Sequence, residues 1–223
     1  MSEETVQLLG SRREQLVKRG RRLEYFTVAY NSLEGLIAIV AGLVAGSIAL
    51  VGFGFDSIIE VTSGLTLIWR LHADVHQERR ERAEMLALRI VGTCFLALAL
   101  YVSYDSVRSL IKRDPTDESV PGIILAAASL IVMPLLVRAK RRIARDISSR
   151  AMAADAKQTE LCTYLSAILL GGLLLNALFG WWWADPLAAL VMVPIITREG
   201  IEALRGETCC GEESRSANNT SQH

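Results

Sequence analysis

The sequence predicts an all-α integral membrane protein with six transmembrane helices. Hydrophobic residues make up 51% of the 223-residue chain and charged residues 22%, with a mean hydropathy of +0.31. That much charge beside that much apolar content has to be segregated along the chain. It is: the charges cluster at 1–24, 70–84, 112–118, 138–160 and 198–213, and apolar runs lie between them. At about 1.5 Å of rise per residue, each run can cross a ~30 Å hydrocarbon core as a helix.

In chain order the expected spans are 25–48, 50–70, 85–110, 120–138, 153–179 and 182–204. The first two are separated only by GSIALVG, which implies a tight helical hairpin. The fifth and sixth meet at GWWWADP, where Trp181, Trp182 and Trp183 suit an interfacial aromatic belt and Pro186 suits the first turn of a helix. The first 24 residues are charged and lack an apolar core, so they are expected to stay on the mature protein rather than to act as a cleaved leader.

Basic residues set the expected orientation. Arg12, Arg13, Lys18, Arg19, Arg21 and Arg22 precede the first span; Arg70, Arg79, Arg80 and Arg82 follow the second; Arg138, Lys140, Arg141, Arg142, Arg145 and Arg150 follow the fourth. On the other side only Lys112 and Arg113 lie in a loop, next to the acidic DPTDES. The positive-inside rule then places both termini in the cytoplasm of a multi-pass cell-membrane protein. Formal net charge is zero and the basic clusters sit at the ends of apolar runs, an arrangement for orienting in lipid rather than binding nucleic acid. Cys94 and Cys162 fall inside spans and Cys209 and Cys210 are adjacent, so all four are expected to be reduced.

The second span carries two acids, Asp56 and Glu60, in LVGFGFDSIIEVTSGLTLIWRL. Their i, i+4 spacing puts both on one helix face, and each costs about 2.5–3.5 kcal/mol at the centre of a membrane helix. With no base within two turns of either on their own helix, they repel unless a proton or a cation sits between them. A divalent cation answers that need, and a second helix has to complete its shell. The fifth span offers Gln158 and Cys162, again at i, i+4. A purely structural pair of acids, hydrogen-bonded to neighbouring helices, is the alternative.

At these residues the chain resembles the cation diffusion facilitator transporters. SIALVGFGFDSIIE is similar to the family's second-helix signature, in which an Asp/His-x-x-x-Asp pair falls on Asp56 and Glu60. ADAKQTELCTYLS resembles its fifth-helix motif Asp-Ala-x-His-x-x-x-Asp, and WWWADPLAALVMVPIITREGIEALR its sixth helix. The likeness extends over about residues 25 to 205, implying a six-helix transport domain there, with 1–24 as a cytoplasmic N-terminal segment and 206–223 as a disordered cytoplasmic tail. It departs from the family at two ligand positions: Gln158 stands where the motif has His and Cys162 where it has Asp. After Arg205 no apolar or periodic stretch follows, so the family's soluble cytoplasmic domain is expected to be lacking.

Further polar residues are open to more than one role. Asp155 matches an Asp in the fifth-helix motif and is either an auxiliary ligand or an interfacial charge paired with Lys157 or a lipid head group. Glu34, a lone acid in the first span with Asn31 one turn earlier, is a proton relay, an extra ligand or a hydrogen-bonded structural acid. His72 and His76 flank Asp74 at a spacing that suits one Zn²⁺, where the family often has a cytoplasmic metal site; a solvated charged loop is the other reading. Asp185 reads as an N-cap acid of the sixth span or as a station for metal exit.

The function implied is secondary transport, not enzyme catalysis: export of a divalent transition metal, Zn²⁺ foremost and otherwise Cd²⁺, Co²⁺, Fe²⁺ or Mn²⁺, in exchange for protons. No resident cofactor is expected, and the partners are the metal cations, protons, membrane lipid and a second copy in a homodimer. A non-transporting scaffold or accessory subunit with a degenerate metal site is the alternative, prompted by the two departures at Gln158 and Cys162. A membrane metalloenzyme is disfavoured because no acid is accompanied by a base and a substrate cleft.

Overall fold

The computed structural model describes residues 3–72, 77–113, 115–147 and 150–205. They form six helices, α1 (Glu3–Ala45), α2 (Ile48–His72), α3 (Gln77–Lys112), α4 (Val120–Asp146), α5 (Arg150–Phe179) and α6 (Ala184–Arg205), with no strand among the described residues. Five of them, α1 to α5, are long and apolar enough to cross a membrane. The sixth, α6, is 22 residues long and ends in the charged run TREGIEALR. The chain is an all-α, multi-pass membrane protein.

The helices extend beyond the apolar runs. In α1 the helix runs on through the charged N-terminal stretch from Glu3, and α4 continues past Arg138 to Asp146. Hydropathy marks where lipid begins and ends; the backbone ladder stops only where a turn residue stops it. Gly46, at φ +66°, is that residue for α1, and Ser47 N–H reaches back to Gly42 O at 2.9 Å. Gly180, at φ +64°, ends α5 in the same way, with its N–H on Asn176 O at 2.8 Å. Ser119 caps α4 by accepting from Gly122 N–H at 3.2 Å, and Pro121 fits the first turn, where its missing N–H leaves no bond unmade.

Packing is pairwise. The strongest partnerships are α1 with α2, α4 with α5, and α3 with α6; α2 also touches α3, α5 and α6. This makes α2 the central helix: 67% of its most apolar stretch is buried, against 28–39% in the other four spans. Close approach is bought with small residues, as membrane helices require. A side chain on Gly92 of α3 would lie 2.7 Å from the carbonyl of Gly200 on α6, and one on Gly42 of α1 would lie 2.8 Å from the amide of Val51 on α2.

The outward faces carry large apolar side chains, among them Leu43, Val44, Leu100, Ile111, Ile131 and Leu178. On six helices with such faces they are the lipid-facing surface. At the α5–α6 turn Trp181 stacks on Trp183 with centroids 5.0 Å apart, and Phe179 adjoins Trp181 at 5.3 Å, an interfacial aromatic cluster.

At the same end, Asp185 caps a helix other than its own. Its carboxylate accepts from Ser47 Oγ at 2.5 Å and from Ile48 N–H at 2.9 Å, while Ser47 Oγ accepts from Leu50 N–H at 3.1 Å. The acid in the first turn of α6 therefore complements the N-terminal dipole of α2. Asn176 Nδ2 donates to Thr116 O at 2.9 Å and Asp117 N–H donates to Ala45 O at 2.9 Å, which pins the α3–α4 loop to α1 and α5.

Candidate functional site

The inner faces of α1, α2, α4 and α5 are polar where a soluble bundle would be apolar. On α1 the buried residues Gly20, Glu24, Thr27, Asn31, Glu34, Ala38 and Gly42 recur every three or four positions, so Glu24, Asn31 and Glu34 share one stripe. On α2 the stripe carries Asp56, Ser57 and Glu60; on α5 it carries Asp155, Thr159, Cys162 and Ser166. On α4 it runs through Ala126, Ser129, Met133, Leu136, Lys140 and Ala144.

Asp56, Glu60 and Cys162 are brought together. The Cys162 thiol of α5 lies near both α2 acids, and Asp56 lies within electrostatic reach of Glu60, Glu34 and Glu199. These side chains do not close to ligand geometry: among the described residues no group of three or more His, Cys, Asp and Glu is placed to hold a metal ion. Glu60 Oε1 accepts from Thr159 Oγ1 at 2.7 Å, while its buried Oε2 has no hydrogen-bond partner. Gln158 is half-buried on α5, one turn before Cys162, and makes no hydrogen bond to Asp56 or Glu60.

Glu34 is hydrogen-bonded to two other helices. It accepts from Ser57 Oγ of α2 at 3.0 Å and from Ser129 Oγ of α4, which also shares a hydrogen bond of 3.0 Å with Tyr30 OH. Asn31, fully buried one turn earlier, has both side-chain polar atoms without a hydrogen-bond partner. Unsatisfied buried groups are costly and rare, and here they lie on the stripe that faces the acids.

Asp155 pairs with Lys140 of α4 instead of with Lys157, which lies 3.9 Å from Glu202 of α6. Lys140 is completely buried, 3.3 Å from Glu24 Oε2, and donates to Thr159 Oγ1 at 3.2 Å. Sequence reasoning placed Lys140 among the cytoplasmic basic cluster and did not single out Glu24, Thr159, Ser129 or Glu199. The signal that could have found Lys140 was its register, since it continues the small and apolar stripe of α4 by one more turn. Arg141, one residue on, is exposed and pairs with Glu160 at 2.5 Å, as a charge on the outer face does.

His76 and the side chain of His72 lie outside the described residues, as do Cys209, Cys210 and the expected disordered tail from 206 to 223. Of the other cysteines, Cys94 is exposed and Cys162 buried, and both are free thiols.

The net electrostatic character is plain. Glu24, Glu34, Asp56, Glu60, Asp155 and Asp185 are buried, and among the described residues Lys140 is the single buried base. Such an interior needs protons or a mobile cation to neutralise it.

The chain is 30% identical over 165 residues to the cation-efflux pumps FieF of Salmonella paratyphi A strain ATCC 9150 / SARB42 and Salmonella agona strain SL483, an overlap covering 70% of this chain and 53% of each relative. The same pump from Salmonella arizonae is equally similar. The chain thus spans about half the length of the curated relatives it matches. Residues 25–206 match the cation efflux transmembrane domain, so this protein belongs to the cation efflux family, the cation diffusion facilitators.

Proposed function

We propose that this protein exports a divalent transition-metal cation from the cytoplasm in exchange for protons, with Asp56 and Glu60 as the principal ligands and Cys162 and Gln158 completing the shell. The observation that carries this reading is the buried acid cluster on α2, facing a thiol on α5 and opposed, among the described residues, by one buried base. Carboxylates exchange a metal for protons because both partners neutralise the same buried charge. To bind cargo, Glu60 leaves Thr159 and turns toward Asp56, and its unpartnered Oε2 supplies a free lone pair for the ion.

Zn²⁺ is the leading cargo, because a mixed carboxylate, amide and thiolate set suits a borderline-soft ion without geometric demands. Glu34 and Asp155 are assigned supporting roles, Glu34 through its serine contacts and Asp155 through Lys140. Both termini are cytoplasmic in this reading and the working unit is a homodimer, the latter on the family resemblance.

The test is flux by purified protein in liposomes. An imposed proton gradient, acidic on the side that receives the metal, should drive Zn²⁺ uptake, and dissipating the gradient should abolish accumulation. Screening Cd²⁺, Co²⁺, Fe²⁺ and Mn²⁺ in the same vesicles ranks the cargo. Absence of gradient-driven flux for all five ions, from protein that is folded and correctly inserted, refutes the proposal.

A further inference from the structure

Lys140 is the single buried base among the described residues, and keeping it there is costly. A buried ammonium carries a desolvation penalty of several kcal/mol, and a well-packed apolar residue in its place is often as stable or more so. Of its three N–H donors, Lys140 gives hydrogen bonds to Asp155 and Thr159 of α5, and its ammonium forms an ion pair with Glu24 of α1 at 3.3 Å. The ammonium is therefore held at one point.

That point is one hydroxyl away from the acid cluster. Thr159 Oγ1 accepts from Lys140 and so directs its own single proton onward, to Glu60 Oε1 at 2.7 Å. The same hydroxyl also lies 3.2 Å from Asp155 O. If Glu60 moves off, Thr159 has a second acceptor within reach and no donor is stranded.

We propose that Lys140 is a tethered competitor for the transported cation: acting through Thr159, it holds Glu60 on the Thr159 hydroxyl while the site is empty and takes Glu60 back when the cargo leaves. This inference rests on Asp56 and Glu60 being the transport site, and it adds a positioning residue to that site. A fixed positive charge within two hydrogen bonds of Glu60 opposes a second cation there. Its consequence is weaker binding and faster release, so that a cluster with so many acids does not trap its ion.

The experiment measures Cd²⁺ binding and Cd²⁺ flux on the full chain, purified in lipid nanodiscs and in liposomes. Thr159→Val removes the hydroxyl at nearly constant shape, and Thr159→Ser keeps it. A paired variant, Lys140→Met with Glu24→Gln, removes the base together with one of its acids, so the interior gains no further unbalanced charge. The expected result is at least about tenfold tighter Cd²⁺ binding in Thr159→Val and in the paired variant, with lower KM and lower maximal flux, while Thr159→Ser stays close to wild type. A merely structural role would reduce the folded fraction or the maximal flux and leave KM and the dissociation constant where they were. Binding unchanged or weakened in both Thr159→Val and the paired variant overturns the proposal. Failure of the underlying site shows separately: wild-type Cd²⁺ binding that survives Asp56→Asn would remove the transport site itself, and the inference with it.

Discussion

Thr159 of α5 donates a hydrogen bond to Glu60 of α2 across 2.7 Å, at a depth where both residues are buried. That bond ties an acid on the central helix to the α4–α5 pair, and it sets what each nearby substitution should do.

Asp56→Asn and Glu60→Gln keep size and shape and remove the charge. Each should lower metal flux by about 100-fold or more, because a lost carboxylate both weakens the ion shell and removes a proton acceptor. Membrane-inserted, monodisperse protein with wild-type flux in either variant would exclude that carboxylate from the site.

Cys162 is 1% exposed and lies near both acids, so its chemistry should be felt in the choice of cargo. Cys162→Ser should lower Cd²⁺ flux more than Mn²⁺ flux, and Cys162→Asp should move the Cd²⁺/Mn²⁺ ratio further toward Mn²⁺, as a harder ligand prefers a harder ion. The ratio is read in wild type and both variants under one proton gradient. An unchanged ratio in both would reduce Cys162 to a packing residue.

Asp185→Ala removes both acceptors from the N-terminus of α2 and leaves Ser47 Oγ and Ile48 N–H without their partner. The expected loss is about 1–3 kcal/mol, seen as a lower unfolding temperature in detergent. Metal affinity should be unchanged, because this cap lies at the opposite end of α2 from His72 and short of Asp56. A fall in affinity without a fall in stability would instead make Asp185 a station on the cation's exit path.

Orientation is tested with single cysteines at exposed positions in a chain whose Cys94, Cys209 and Cys210 are replaced. Glu118→Cys, in the α3–α4 loop, should react with an impermeant thiol reagent from outside intact cells, and Arg142→Cys, near the end of α4, should react only after permeabilisation. Thr116 in the same loop is a poor reporter because it is 7% exposed and its carbonyl is held by Asn176. The reverse labelling pattern would invert the direction of export.

The sequence alone determined the number and order of the helices and the pairing of Asp56 with Glu60, because both follow from local patterns: apolar runs of spanning length, and an i, i+4 interval on one helix. It placed the α1–α2 break within a few residues, at GSIALVG, and marked the α5–α6 turn by its Trp cluster. It missed how far α1 and α4 continue past the apolar runs, since a helix outside lipid is ended by capping and not by hydropathy. Only the tertiary structure decided the partners. Asp155 faces Lys140 and not its near neighbour Lys157, Asp185 caps α2 and not α6, and Glu34 joins serines from two other helices. Those choices depend on which helix stands beside which, and on how closely glycines such as Gly42 and Gly92 let the backbones approach. A charge inside a run of charges reads as solvated until the rotation of its helix is known, and about 100° of rotation, a single residue, separates the buried Lys140 from the exposed Arg141.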